Sequence, residues 1–246
     1  MPESSEATRT GGNRTGVQAS PQLSEQMNEV VRPVSARAAD ADTSPLNEVR
    51  VQYIREAEPL GSMPAPGAQQ PRGEPTRTFV DKLAERLAYE RGGTRLYDAV
   101  IAKFMAHEGE LQGASLQELI EIRDEEAGHA ALLRTCIEQL GADPTAQTPC
   151  ADFVGIATSG FLQAVTDPRS TLAQCLQVAL AAELVDVASW ESLITMAESM
   201  KQDGMVERFG RARERETEHL AKVRGWHESL TLAAGELKAS KKSRSH

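Results

Sequence analysis

From Arg77 onward, apolar residues recur at alternating intervals of three and four, the spacing of one face of a helix. The first such stripe is Val80, Leu83, Leu87, Glu90, Thr94, Tyr97, Ile101 and Phe104, and it predicts a helix ending near Ala106. Gly92-Gly93 interrupts it, at roughly 1 kcal/mol each relative to alanine, which points to a kink or to the close approach of a neighbouring backbone. Ser115-Leu116-Gln117-Glu118 is a capping box that opens a second helix. Its stripe runs Leu119, Ile122, Glu126, His129, Leu133, Cys136 and Leu140, with Gly141 as the stop and Pro144 beyond it. Residues 141–168 are too long for a simple turn between helices and are apolar enough from Ala151 to Val165 to hold a short helix. Asp167-Pro168 resembles a cap followed by a first-turn proline. The third stripe is Leu172, Leu176, Ala179, Glu183, Asp186, Trp190, Leu193 and Ala197, ended by Asp203-Gly204. The fourth is Met205, Phe209, Ala212, Glu216, His219, Val223, Trp226 and Leu230.

These stripes predict an all-α fold, an antiparallel four-helix bundle with one long crossover between helices two and three. The expected domain division is a largely disordered N-terminal extension at 1–75, the bundle at 76–234, and a basic C-terminal tail at 235–246. The extension mixes Gly, Pro, Ser, Thr and charged residues without periodicity. Its one exception is 46–55, where alternating Val49, Val51 and Tyr53 suggest a short strand-like or docking segment.

Each stripe is apolar at both ends and ionisable in the middle. Glu90 lies mid-helix one, Glu126 and His129 mid-helix two, Glu183 and Asp186 mid-helix three, Glu216 and His219 mid-helix four. Thirty-six residues separate Glu90 from Glu126, and 33 separate Glu183 from Glu216. The chain therefore reads as two similar half-sites in tandem, brought to one level by antiparallel hairpins. Glu126-x-x-His129 and Glu216-x-x-His219 each put a carboxylate and an imidazole on one helix face, where both can reach one transition-metal ion. An unpaired buried carboxylate costs several kcal/mol, so such groups are paired, protonated or bound to metal. The stripes carry no Lys or Arg at that level. Arg86, Arg91, Arg95, Arg123, Arg211 and Arg215 fall off them and are expected to face solvent, as are Glu118, Glu121, Glu125, Glu214 and Glu218 on mixed-charge outer faces. Two divalent ions would balance four glutamates.

A glutamate from each of two helices with Glu-x-x-His from each of the other two resembles the ferritin-like superfamily, and within it the rubrerythrin-like branch, over residues 78–232. That resemblance implies two iron or two manganese ions, with Glu126 and Glu216 bridging, Glu90 and His129 on one ion, and Glu183 and His219 on the other. It makes Asp186 a seventh ligand or an acceptor for an imidazole N–H, and Tyr97 a hydrogen-bond partner of a ligand or a redox-active group. It implies an oxidoreductase of ferroxidase or peroxidase type acting on O2 or H2O2, with iron storage in a ferritin-type shell or manganese-catalase-like dismutation as alternatives, and a homo-oligomer, dimer or larger. The four-cysteine iron domain of full-length rubrerythrins has no counterpart here, so an unknown external electron donor is expected.

Composition narrows the remaining choices. The formal charge of −9 argues against nucleic-acid binding. Three scattered cysteines offer neither a thiolate metal site nor a disulfide framework. With no signal-peptide core and no run of 18 apolar residues, no membrane role is expected, and a reducing, cytoplasmic setting is.

Overall fold

Local capping chemistry sets most helix boundaries. In the computed structural model, which describes residues 73–243 except 108 and 112 together with Glu25, Gln26, Glu29, Glu48, Val49, Val51, Gln52, Ile54 and Arg55, every regular element is helical. Five helices follow one another: α1 (Glu74–Ala106), α2 (Leu116–Gln139), α3 (Pro149–Thr166), α4 (Leu172–Ser199) and α5 (Asp203–Ser243). Among the described residues there is no strand. The chain divides into two units, Met1–Glu58 and Pro59–His246. All described residues of the first unit are helical, including Val49 and Val51. A strand-like 46–55 is therefore not what forms there. Leu46, Val49 and Tyr53 also stand at i, i+3 and i+7, so this short run satisfies the helical period as well. The expected disorder of 1–75 lies outside the described residues, apart from those nine and the start of α1.

The predicted α2 cap is present in full. The Ser115 hydroxyl accepts from Glu118 N at 3.2 Å, and Ser115 N donates to Glu118 Oε2 at 2.9 Å. Gly141, at φ 76°, terminates that helix in the left-handed region. The expected cap at Asp167-Pro168 is overturned. Asp167 ends α3, with its carboxylate held by Arg169, and α4 starts four residues later at a second capping box, Thr171 with Gln174. That box satisfies two orphan backbone groups reciprocally, whereas Asp167 already has a cation. Asp203-Gly204 likewise opens α5 instead of closing α4. The left-handed residue between them is Lys201, at φ 56°. The stretch expected to be a tail from residue 235 continues α5 through Ser243.

α1 packs against α2, α3 and α4; α5 packs against α4 and α2. Being covered on three sides, α1 buries two stripes. One is the predicted stripe, and the other runs Arg86, Tyr89, Gly93, Leu96, Val100 and Lys103. Two apolar clusters make up the core. α1 and α5 enter the cluster containing Phe79 and Phe209 first and leave through the one containing Leu96 and Val223. α2 and α4 pass through them in the opposite order. In each of these four helices the ionisable residues fall at the change from one cluster to the other. α4 is long and apolar enough by length and composition to cross a membrane, at a mean hydropathy of 1.4. Its middle nevertheless carries buried Glu183 and Asp186, and it packs on α1, α3 and α5, as a core helix does.

Candidate metal centre

The i, i+3 spacing of Glu126 with His129 and of Glu216 with His219 puts each pair one turn apart on a buried face. α1 supplies Glu90 and α4 supplies Glu183 and Asp186 at the same level. All seven predicted ligand residues are buried, none more than 8% exposed. Three overlapping groups each bring their ligand atoms within 4.8 Å of one another: Glu126, Glu183, Glu216 and His219; Glu90, His129 and Glu216; and Glu90, Glu126, Asp186 and Glu216. Glu216 belongs to all three and Glu126 to two of them.

Both imidazoles aim Nδ1 into the carboxylates. His129 Nδ1 lies 2.5 Å from Glu216 Oε1 and 3.8 Å from Glu90 Oε2. His219 Nδ1 lies 3.1 Å from Glu216 Oε2, 3.4 Å from Glu126 Oε1 and 3.9 Å from Glu183 Oε2. Burial pushes Glu90, Glu126 and Glu183 well above the usual carboxylate range, and neighbouring negative charge pushes the same way. For Glu216, burial acts in that direction too, but the two histidines outweigh it and hold the carboxyl at about 2. Burial disfavours charge on His219, yet Glu216, Glu183 and Glu125 raise it to about 9.

Tyr97, expected to bond a residue of the cluster, does so: its hydroxyl donates to Glu183 Oε1. Burial first, and Glu183 next, raise its pKa well above the ordinary phenol value. Asp186 falls in one of the three donor groups, and its buried partner is a guanidinium and not the expected imidazole. Arg86 does not face solvent; it is 3% exposed, with Nε 3.1 Å from Glu90 Oε1 and Nη2 3.2 Å from Asp186 Oδ1. Its carbon lies 3.8 Å from the Tyr89 ring centroid. Desolvation opposes the charge on Arg86, but Asp186 and Glu90 more than restore it. Asp186 is raised to about 7 by burial, with Arg86 pulling the other way. The signal for Arg86 was present in the sequence as the second α1 stripe.

Glu125 also corrects the expectation of a purely outer-face residue. It does pair with Arg215, but its other oxygen accepts from His219 Nε2 at 2.6 Å. This fixes the ring so that Nδ1 faces inward. Trp190, fully buried, packs edge-on to His129 with centroids 5.5 Å apart. Gly93 is where another chain segment comes close, though it is a side chain and not a backbone: a Cβ there would collide with Glu126 Oε2. α1 passes through Gly92-Gly93 as continuous helix.

The donor set suits a metal on one specific ground. Glu90 Oε2, Glu126 Oε1 and Glu183 Oε2 are fully buried and make no hydrogen bond of good geometry, while Glu90 Oε1 and Asp186 Oδ1 are met only by the Arg86 ion pairs and Glu216 Oε1 only by His129 Nδ1. Buried polar atoms are ordinarily satisfied, so a cluster of this kind could hold a metal ion. Five buried carboxylates face one buried guanidinium, which leaves four negative charges for two divalent ions or several protons to balance. The chain matches no protein-family model, no curated protein and no solved structure.

Proposed function

We propose that the chain is a dinuclear-metal oxidoreductase with a ferritin-like, antiparallel four-helix bundle. On this reading α1, α2, α4 and α5 form the bundle, and α3 lies in the long crossover. The opposite order in which neighbouring helices pass through the two apolar clusters supports that arrangement. The observation that carries the function is the convergence of orphaned, buried carboxylate and imidazole atoms between those clusters. Glu126 and Glu216 would be shared between the two ions; Glu216 belongs to all three donor groups, and Glu126 and Glu90 to two each. Glu90 and His129 serve one ion, and Glu183 and His219 the other. Asp186 is the counter-ion of Arg86.

Iron or manganese both accept this oxygen and nitrogen set. Bound there, the pair supplies electrons to O2 or H2O2 in a ferroxidase or peroxidase reaction. The chain's own groups do the rest. Glu125 orients His219, Tyr97 fixes Glu183 by donating to Oε1, and Arg86 holds Glu90 by one oxygen, leaving Oε2 toward His129. Reducing equivalents come from a separate donor. Exposed Phe153 and Ile156 on α3 and Leu184 and Val185 on α4 fit association of copies, which light scattering reads.

The test is elemental analysis of protein purified without chelator, followed by optical spectra on adding Fe(II) and O2. About two ions per chain are expected, lost in Glu216→Ala and in Glu126→Ala. Fewer than about one ion per chain, with no spectral change, removes the proposal.

A further inference from the structure

α1 carries a second feature that the metal centre does not use. Beside it lies a half-open cavity of about 190 Å3, bordered by Tyr89, Gly92 and Gly93 of α1, exposed Gly155 and half-buried Phe161 of α3, and Ala182 of α4. Its hydroxyl-bearing walls are already satisfied. Tyr89 donates to Ala182 O at 2.8 Å, Thr158 to Val154 O at 2.7 Å, and Ser159 to Ile156 O at 2.8 Å. Arg95 also borders the cavity, with its side chain exposed. With the hydroxyl hydrogens already spent on backbone carbonyls, the walls offer a guest donors only at the Arg95 rim, and the rest of the lining is mostly carbon, which suits an apolar guest. For scale, an apolar cavity of about 150 Å3 in a protein interior is enough to hold benzene.

The glycines explain why the space is there. Each glycine within a helix costs roughly 1 kcal/mol relative to alanine. A Cβ at Gly92 or at Gly155 would meet nothing within 4 Å, so neither residue is required by packing. Their missing side chains leave the cavity its volume from two different helices. Gly93, next to Gly92, borders the same cavity and also abuts Glu126 Oε2. The cavity and the carboxylate cluster share that wall.

We propose that this cavity binds a small, uncharged, apolar organic molecule of about benzene size, held against the Gly93 wall of the carboxylate cluster. The test uses the full-length protein as purified, titrated with benzene and followed by ligand-observed NMR and by the thermal midpoint. Wild-type protein is expected to bind saturably and to melt at a higher temperature with benzene present. Gly92→Leu and Gly155→Leu, which fill the cavity from α1 and from α3, are each expected to lose that binding while staying folded. Absence of saturable binding to wild-type protein overturns the proposal. So does a folded Gly92→Leu protein with an unchanged isotherm. A Gly92→Leu chain that fails to fold contradicts the open space beside Gly92 and overturns it equally. Metal content, read in the same samples, separates this claim from the previous one. Benzene binding without metal leaves the cavity standing and removes the metal centre; metal without benzene binding does the reverse.

Discussion

Replacing Arg86 by methionine keeps much of the side chain's stem and removes its charge, which isolates what the guanidinium does. Arg86 is 3% exposed and lies 3.1 Å from Glu90 and 3.2 Å from Asp186. With charge centres about 4 Å apart and an effective dielectric near 20, the pair with ionised Asp186 is worth about 4 kcal/mol of Coulomb energy, and Glu90, held well above the usual carboxylate range, adds less. Desolvation of the guanidinium offsets part of that gain. Removing one partner strands the other, however, and breaking a buried pair in this way costs about 3–5 kcal/mol. For a unit of this size, that corresponds to a fall in melting temperature of about 6–20 °C.

The assay is urea and thermal unfolding of chelator-stripped protein at pH 8, where Asp186 is ionised in the folded state. The double-mutant cycle supplies the sharper number. Arg86→Met in an Asp186→Asn background is expected to cost about 2 kcal/mol less than in wild-type protein. Asp186→Asn alone is expected to keep its metal ions, because Asp186 serves Arg86. A loss under about 1 kcal/mol for Arg86→Met, or the same loss in both backgrounds, refutes the reasoning. Either result would mean that Arg86 does not compensate the carboxylates beside it.

Three further outcomes follow from the same geometry. Glu125→Gln leaves the fold intact but loosens the ring of His219, so metal affinity falls about 10–100-fold in a competitive chelator titration; an unchanged affinity rules out the orienting role. Gly93→Ala displaces the Glu126 carboxylate and lowers metal content without unfolding the chain, while Gly92→Ala next to it raises stability by about 1 kcal/mol, both read in one set of melts and metal assays. Metal-free protein loses stability as pH rises from about 4 to about 9. Asp186, raised to about 7, keeps a proton that the unfolded chain has released, and His219, raised to about 9, loses the benefit of its charge above the unfolded value, while Glu216, held at about 2, adds an opposite loss only in acid. Redox-inert Zn2+ should flatten that decline, and a pH-independent melting temperature between 5 and 9 would contradict it.

The helices and the residues that meet between them were legible because their signals are local and periodic. A stripe with a polar centre, repeated in four segments, needs no knowledge of neighbours to be read. The errors came where a tertiary neighbour decided the outcome. Arg86 sits off the first α1 stripe but on a second, weaker one, whose polar ends do not by themselves mark a covered side. The second period, Arg86, Tyr89, Gly93, Leu96, Val100 and Lys103, becomes meaningful once α3 and α4 are known to pack there. Glu125 belongs to a mixed-charge outer face in sequence, yet in the fold one of its oxygens meets Arg215 and the other His219. Asp167-Pro168 has the pattern of a cap, but Arg169 occupies Asp167 and Thr171 caps α4 instead. The short 46–55 run fits both periods and could not be divided between them by pattern alone.

These corrections bear on the centre itself. In sequence the two half-sites look equivalent, each a lone glutamate followed by Glu-x-x-His. In the fold their surroundings differ. Glu90 shares its Oε1 with a buried guanidinium, whereas Glu183 receives a neutral hydroxyl from Tyr97. His219 is braced from outside by Glu125, whereas His129 packs against the edge of Trp190. A fixed positive charge beside one half-site lowers its attraction for a cation, and a carboxylate behind the imidazole raises the other's. Near-equivalence in ligand residues therefore coexists with unequal electrostatics. On the proposed reading the Glu183 and His219 side fills first, because no guanidinium competes for its carboxylate and Glu125 already braces its imidazole.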